Sequence, residues 1–214
     1  MQVLQSTPRA AVFRTKSLRG GGKIFALPRA TAGTSDSAVK DLSNIIAAVD
    51  KHDEIFAERR RTAVDAEERE QISKMDRSNR SAIASVIADS MAKLAKDKAA
   101  TAAKRAKILN PPPLTDKDHV TAIRESEARQ GMRNLSTDQQ ARVMATVTDD
   151  PSLLLALARS PSPLDPIGDG ARALYRGQQM RVEAEALAAL DAEDEGHDTM
   201  ETSLNALNQL ISGV

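Results

Sequence analysis

Along the stretch that follows residue 35, apolar side chains return at steps of three and four. Val39, Leu42, Ile46 and Val49 fall on one seam, Phe56 continues it, and Asp53 and Arg60 interrupt it. That spacing lines one face of an α-helix and matches the opening of a coiled coil. Ser35 or Asp36 supplies an N-cap. The next stretch, EIFAERRRTAVDAEEREQ, is polar almost all round; it reads as a solvated helix supported by pairs such as Asp65 with Arg69. MDRSNRS at 75–81 reads as a break. A second stripe follows, Ile83, Val86, Ile87, Met91 and Leu94, flanked by Ala84, Ala88, Ala92 and Ala95, which permit close helix approach. Residues 36–75 and 80–108 are thus expected to form an antiparallel helical pair or one kinked rod, and the short polar connection favours the pair.

NPPPL at 110–114 is the clearest boundary, because three successive prolines cannot continue a helix. Beyond it the predicted units are shorter. Thr115 with Asp118 opens a helix through Val120 and Ile123 toward Met132. Ser136 with Gln139 fits a capping box ahead of Val143, Met144 and Val147. Asp150 before Pro151 fits an N-cap and first helical position for SLLLALA, which SPSPLDP ends. A longer helix is expected over 169–192, with Leu174, Val182, Leu187 and Leu190 as its apolar positions. A last one carries Met200, Leu204, Leu207 and Ile211.

Composition changes the picture by thinning the core. Phe13, Phe25, Phe56 and Tyr175 are the only aromatic residues, and there is no Trp. Alanine takes their place; it is the best helix former but removes little apolar surface from water. Cysteine is absent, which excludes disulfides, thiolate nucleophiles and Cys-ligated metal centres. No apolar run approaches the roughly 18 residues of a membrane span, and the N-terminus lacks a secretory h-region.

The net charge of zero conceals a gradient. Residues 1–35 carry six bases and no acid, residues 36–110 carry 15 bases and 13 acids, and residues 111–214 carry 9 bases and 17 acids. The basic arm, residues 1–34, holds Pro8, Pro28 and glycines 20–22, which oppose a long helix. VFRTKSLRGGGKIFAL can close as a loose hairpin, with Val12 and Phe13 facing Ile24 and Phe25. An isolated hairpin is marginal in water, so the arm is expected to borrow order from another surface.

Candidate chemistry is sparse. The glycines before Lys23 lack the GxxxxGK[ST] frame of a phosphate-binding loop. DAEDEGHDTMET, 191–202, places acids as a calcium loop would, but Thr202 stands where the closing bidentate Glu is needed, so a solvated acidic turn is expected. His52, His119 and His197 lack ligand spacing and read as surface residues. No catalytic nucleophile context appears. No catalytic residue, cofactor or metal site is therefore assigned.

The acid-free arm is similar in composition to a mitochondrial transit peptide, although its glycines and prolines spoil the amphipathic helix. The overall texture, a basic arm followed by Ala-rich capped helices with few aromatics and no cysteine, resembles helical virion components of tailed bacteriophages of the neck, scaffold or internal ejection type. That resemblance implies a multicopy structural protein located in the virion or the host cytoplasm. The expectation is a mainly α elongated helical bundle with an extended basic N-terminal arm, divided as 1–34, 35–109 and 110–214. Its partners would be further copies of itself and other particle subunits, engaged through Arg14, Lys16, Arg19, Lys23, Phe25 and Arg29 of the arm and through the seam Val39, Leu42, Ile46 and Val49. The alternative is a nucleic-acid-associated helical protein whose arm contacts phosphates.

Overall fold

The structure, a computed structural model, describes residues 2–6, 10–14, 24–28, 36–115, 117–161 and 165–212. Among these residues the chain is mainly α-helical. Three short strands, β1 (Gln2–Ser6), β2 (Ala10–Arg14) and β3 (Ile24–Pro28), precede seven α-helices. The chain divides into two compact units. One spans Met1–Thr101 and Ala189–Val214, the other Ala102–Ala188.

In the first unit β2 and β3 pair antiparallel, with Phe13 opposite Phe25 and Val12 opposite Ala26. β1 adds to the free edge of β2, also antiparallel, with a register shift between Val3 and Gln5. The hairpin reading leaves out this strand. A third strand matters physically, because a two-stranded ribbon is barely stable in water. The backbone of β3 also passes close to the first helix, α1 (Asp36–Thr62).

α1 ends before a tight turn at 63–65, and α2 (Ala66–Leu109) begins immediately after it. The turn lies inside the stretch read as continuous polar helix. Its signal is local. The Asp65 carboxylate accepts from the Glu68 N–H at 2.7 Å, while the Glu68 carboxylate accepts from the Val64 N–H at 2.9 Å. This pair of bonds is a variant of the capping box, with Glu68 reaching one residue beyond the N-cap Asp65, embedded in VDAEE among charges that masked it. Conversely, the break expected at 75–81 is absent, and that stretch is helical within α2. Asp76 and Arg80 pair across one turn there at 2.9 Å, and this polar face is turned inward.

The core of this unit gathers Leu42, Ile45, Ile46 and Val49 of α1, Ile87 and Leu94 of α2, and Met200, Leu204, Leu207 and Ile211 of the last helix, α7 (Ala184–Ser212). The sequence division at 110–214 is therefore revised. Residues 189–212 return to the first unit because their apolar stripe completes the α1–α2 pair. The acidic stretch 191–202, expected as a turn, is helical within α7. The basic end of α2 neutralises it: Lys98 Nζ donates to Asp198 at 2.7 Å and also to Glu201, and Thr101 donates to Glu193 at 2.9 Å. Part of the acidic excess of residues 111–214 is thus met by a base of the preceding segment.

The second unit holds α3 (His119–Arg133), α4 (Thr137–Thr146), α5 (Pro151–Ala158) and α6 (Pro166–Val182), with a 3-10 turn at Val147–Asp149. Its core comprises Met132, Val147, Leu154, Leu157, Ala158 and Ala171. Ser136 and Gln139 form the expected capping box, and Asp150 accepts from the Ser152 and Leu153 N–H groups ahead of Pro151. Asp165 before Pro166 repeats that device on α6. Asp118 departs from the reading. It precedes α3 but accepts from the Thr115 N–H and hydroxyl, closing a turn before the helix rather than capping it. Val120 and Ile123 face outward, and Glu125 is buried, as is Met132; Glu125 is held by Arg159 at 2.5 Å and Arg129 at 3.5 Å. Two arginines make this burial tolerable, since a lone buried carboxylate is costly. The proline segment lies inside this unit, where Arg159 Nε donates to the Pro112 carbonyl at 2.7 Å.

Candidate interaction surface

The structure separates the residues assigned to partners into three groups. Lys16, Arg19, Lys23 and Arg29 lie outside the described residues. Arg14 sits on β2 opposite Ile24, and Phe25 on β3 opposite Phe13. Val39 is half-buried, whereas Leu42, Ile46 and Val49 are essentially inaccessible, at 1%, 0% and 0% exposure. The seam read as an oligomer contact is a core face. Sequence periodicity shows that a face is apolar, and here α2 and α7 of the same chain cover it.

What stays apolar and exposed on α1 and α2 lies elsewhere. A groove of about 470 Å³ runs between the two helices, with Ile45, Ala48, Ile83 and Val86 as its apolar wall and Asp41, Asn44, Asp89, Ser90 and Lys93 at its rim. At about 100° per residue, Asp41, Ala48, Ile55 and Arg59 share one stripe of α1, and Met75, Ala82, Val86 and Lys93 share one stripe of α2. Among the described residues of the first unit, the exposed large apolar side chains are Ile55, Val64, Met75 and Val86. Three of the four fall on these two stripes; Val64 belongs to the 63–65 turn. Such clustering distinguishes a patch from scattered surface apolar residues. The helices run antiparallel, with Lys93 Nζ 3.6 Å from Asp41 at one end and Arg59 beside Met75 at the other. Sequence reading placed Val86 among core residues; only the three-dimensional packing of Ile87 beside it shows which of the two is left outside.

Behind the far end of the groove sits a buried polar cluster. His52 is 6% exposed and stacks obliquely on Phe56, with ring centroids 4.6 Å apart. Its ring nitrogens lie 3.2 Å from Asp76 and 3.4 Å from Asp53, without hydrogen-bond alignment. Arg60 and Arg80 complete the cluster, and Arg80 also donates to the Ile211 carbonyl at 3.3 Å, fixing the end of α7. His197 is also buried. The surface reading therefore holds for His119 and is corrected for the other two, which are packed against α-helical neighbours. The guanidinium groups already compensate the carboxylates around His52, so the cluster reads as a polar lock between helices.

The electrostatics at the α2–α7 seam follow from its pairs. Lys98 is held above the ordinary lysine range, first by its hydrogen bond to Asp198 and then by that to Glu201. The same bond to Lys98 holds Asp198 below the usual carboxylate range. In the second unit a shallow concavity of about 620 Å³ is walled by Ile108, prolines 111–113 and Tyr175. Among the described residues no group of three or more His, Cys, Asp or Glu side chains is arranged to hold a metal ion, and no helix is long and apolar enough to cross a membrane.

Comparison with protein-family models, curated proteins and solved structures finds no match to this chain.

Proposed function

We propose that this chain is a structural assembly protein, a helical subunit that joins further copies and other components of a multisubunit particle, of the kind found in tailed-bacteriophage virions. The observation that carries the reading is the exposed stripe of Ile55, Met75 and Val86 beside the α1–α2 groove. An apolar face on a well-capped helical pair, rimmed by charges, is what a subunit interface presents before its partner arrives. The virion setting rests on the sequence texture alone.

The test is mass photometry together with light scattering of the intact protein, set against a Val86→Asp variant. The reading expects discrete oligomers for the natural chain and a shift toward monomer for the variant, with unchanged helical circular dichroism. A natural chain that stays monomeric up to high micromolar concentration removes the proposal. The acid-free N-terminal 35 residues favour one second reading, contact with nucleic-acid phosphates. Salt-sensitive retardation of DNA or RNA in a gel, lost when residues 1–34 are deleted, would select it.

A further inference from the structure

The exposed stripe has a direction, and that direction selects a partner. At one end the α1–α2 face carries Asp41 and Asp89, with Lys93 against Asp41. The middle is apolar, formed by Ile45, Ala48, Ile83 and Val86. At the opposite end stand Ile55, Met75 and the guanidinium of Arg59, which lies over the Phe56 ring at 5.8 Å. A face with two carboxylates against one ammonium at one end, an apolar middle and an arginine at the other end complements itself when a second copy is laid on it head to tail.

Resting on the assembly reading, we infer that the occupant of this groove is the same face of a second copy, related by a two-fold axis that passes beside Ala82 and Ala48. The register follows from the antiparallel pairing of α1 and α2. Asp41 stands level with Lys93 and Arg59 level with Met75, so the middle of the face lies near Ala48 on α1 and Ala82 on α2. Rotation about that point brings Ile55 of each copy onto the groove wall near Ile45 and Val86 of the other. It also brings Arg59 over Asp41, beside that residue's partner Lys93 and one turn from Asp89. Two-fold contacts are self-matching in this way, residue i meeting j and j meeting i. Exposed Ala48 and Ala82 at the centre permit close approach of the helices.

The size of the face sets the expected strength. From Asp41 to Arg59 the α1 stripe is about 27 Å long at roughly 1.5 Å per residue, and two helices side by side are about 20 Å wide. Two such faces bury on the order of 1,000 Å² together, at the lower limit of specific interfaces. The pairing should therefore be reversible and concentration-dependent, and charge reversal should weigh heavily on it.

Because the chain has no cysteine, single substitutions report cleanly. Under mild oxidation at tens of micromolar, Ala82→Cys should give a covalent dimer in high yield, since a disulfide requires Cα atoms about 4.4–6.8 Å apart and only a residue beside the axis meets its own copy. Ala92→Cys, exposed on another side of α2, should stay uncoupled. Arg59→Glu should raise the dimer dissociation constant about tenfold, and Asp41→Arg added to it should restore pairing, as reciprocal charge contacts require. Oligomers that form without Ala82→Cys coupling, or with no recovery in the double variant, overturn the two-fold arrangement and leave assembly standing. A natural chain that remains monomeric under the same conditions removes both.

Discussion

At position 168 even a methyl group would place its Cβ 2.9 Å from the Cβ of Ser160. The first turn of α6 approaches that closely because Ser160 and the helix share one anchor. The Asp165 carboxylate accepts from the Ser160 hydroxyl at 2.8 Å and from the Ile167 N–H at 3.2 Å. Gly168→Ala should therefore destabilise the second unit by about 1–3 kcal/mol, as overpacking does, measured by urea denaturation with tryptophan-free probes such as circular dichroism at 222 nm. Burial by itself pushes the Asp165 carboxyl up, but the Ser160 hydroxyl, the Gly168 and Ile167 N–H groups and the Arg133 guanidinium outweigh it and hold the group below the usual carboxylate range. A carboxyl lowered on folding adds stability above its unfolded value and loses it as pH falls through its folded one. Denaturation midpoints of the natural protein should thus fall on acidification through the aspartate range. Those of Asp165→Asn should start lower at neutral pH and fall less.

Among the elements, two helix starts marked by a local side-chain cap were legible in the sequence. The Ser136–Gln139 box and the Asp150–Pro151 start stand where the sequence puts them, because a cap and its helix are neighbours in the chain. The turn at 63–65 was not legible, since VDAEE carries the same kind of signal among so many charges that periodicity drowned it. The helical course of 191–202 was hidden for the opposite reason. Its acids look like a loop until Lys98, 100 residues before Asp198, supplies their partner. The seam Leu42, Ile46 and Val49 was correctly apolar and wrongly addressed: spacing identifies a buried face but not what buries it. The most consequential contact of α7 is of this long-range kind. Leu207 is 0% exposed in the core that α7 closes, so Leu207→Ala should cost about 2–5 kcal/mol. In native-state hydrogen exchange the loss should appear at amides of α1 and α2, while α5 and α6 keep their protection. Equal loss in both units would contradict the division of the chain into two cores.

At the scale of the whole molecule, the second unit is an insertion within the first. Ala102–Ala188 lies between two segments that build one core, Met1–Thr101 before it and Ala189–Val214 after it. The order of synthesis therefore reverses the order of completion. As the polypeptide leaves the ribosome, the inserted unit has everything it requires once residue 188 is clear of the exit tunnel. The earlier α1–α2 pair must wait for Met200, Leu204, Leu207 and Ile211. During that interval Leu42, Ile46 and Val49 have α2 beside them but lack the cover that α7 supplies, a state in which greasy surfaces invite chaperones and premature association. Nascent chains arrested shortly after residue 188 has emerged should be cut by protease within residues 36–101 and spared within 102–188. Chains extended until residue 212 has emerged should resist cleavage in both. Translation through α7 therefore times the closure of the first core: the helices made earliest are sealed last, by a stripe more than a hundred residues behind them.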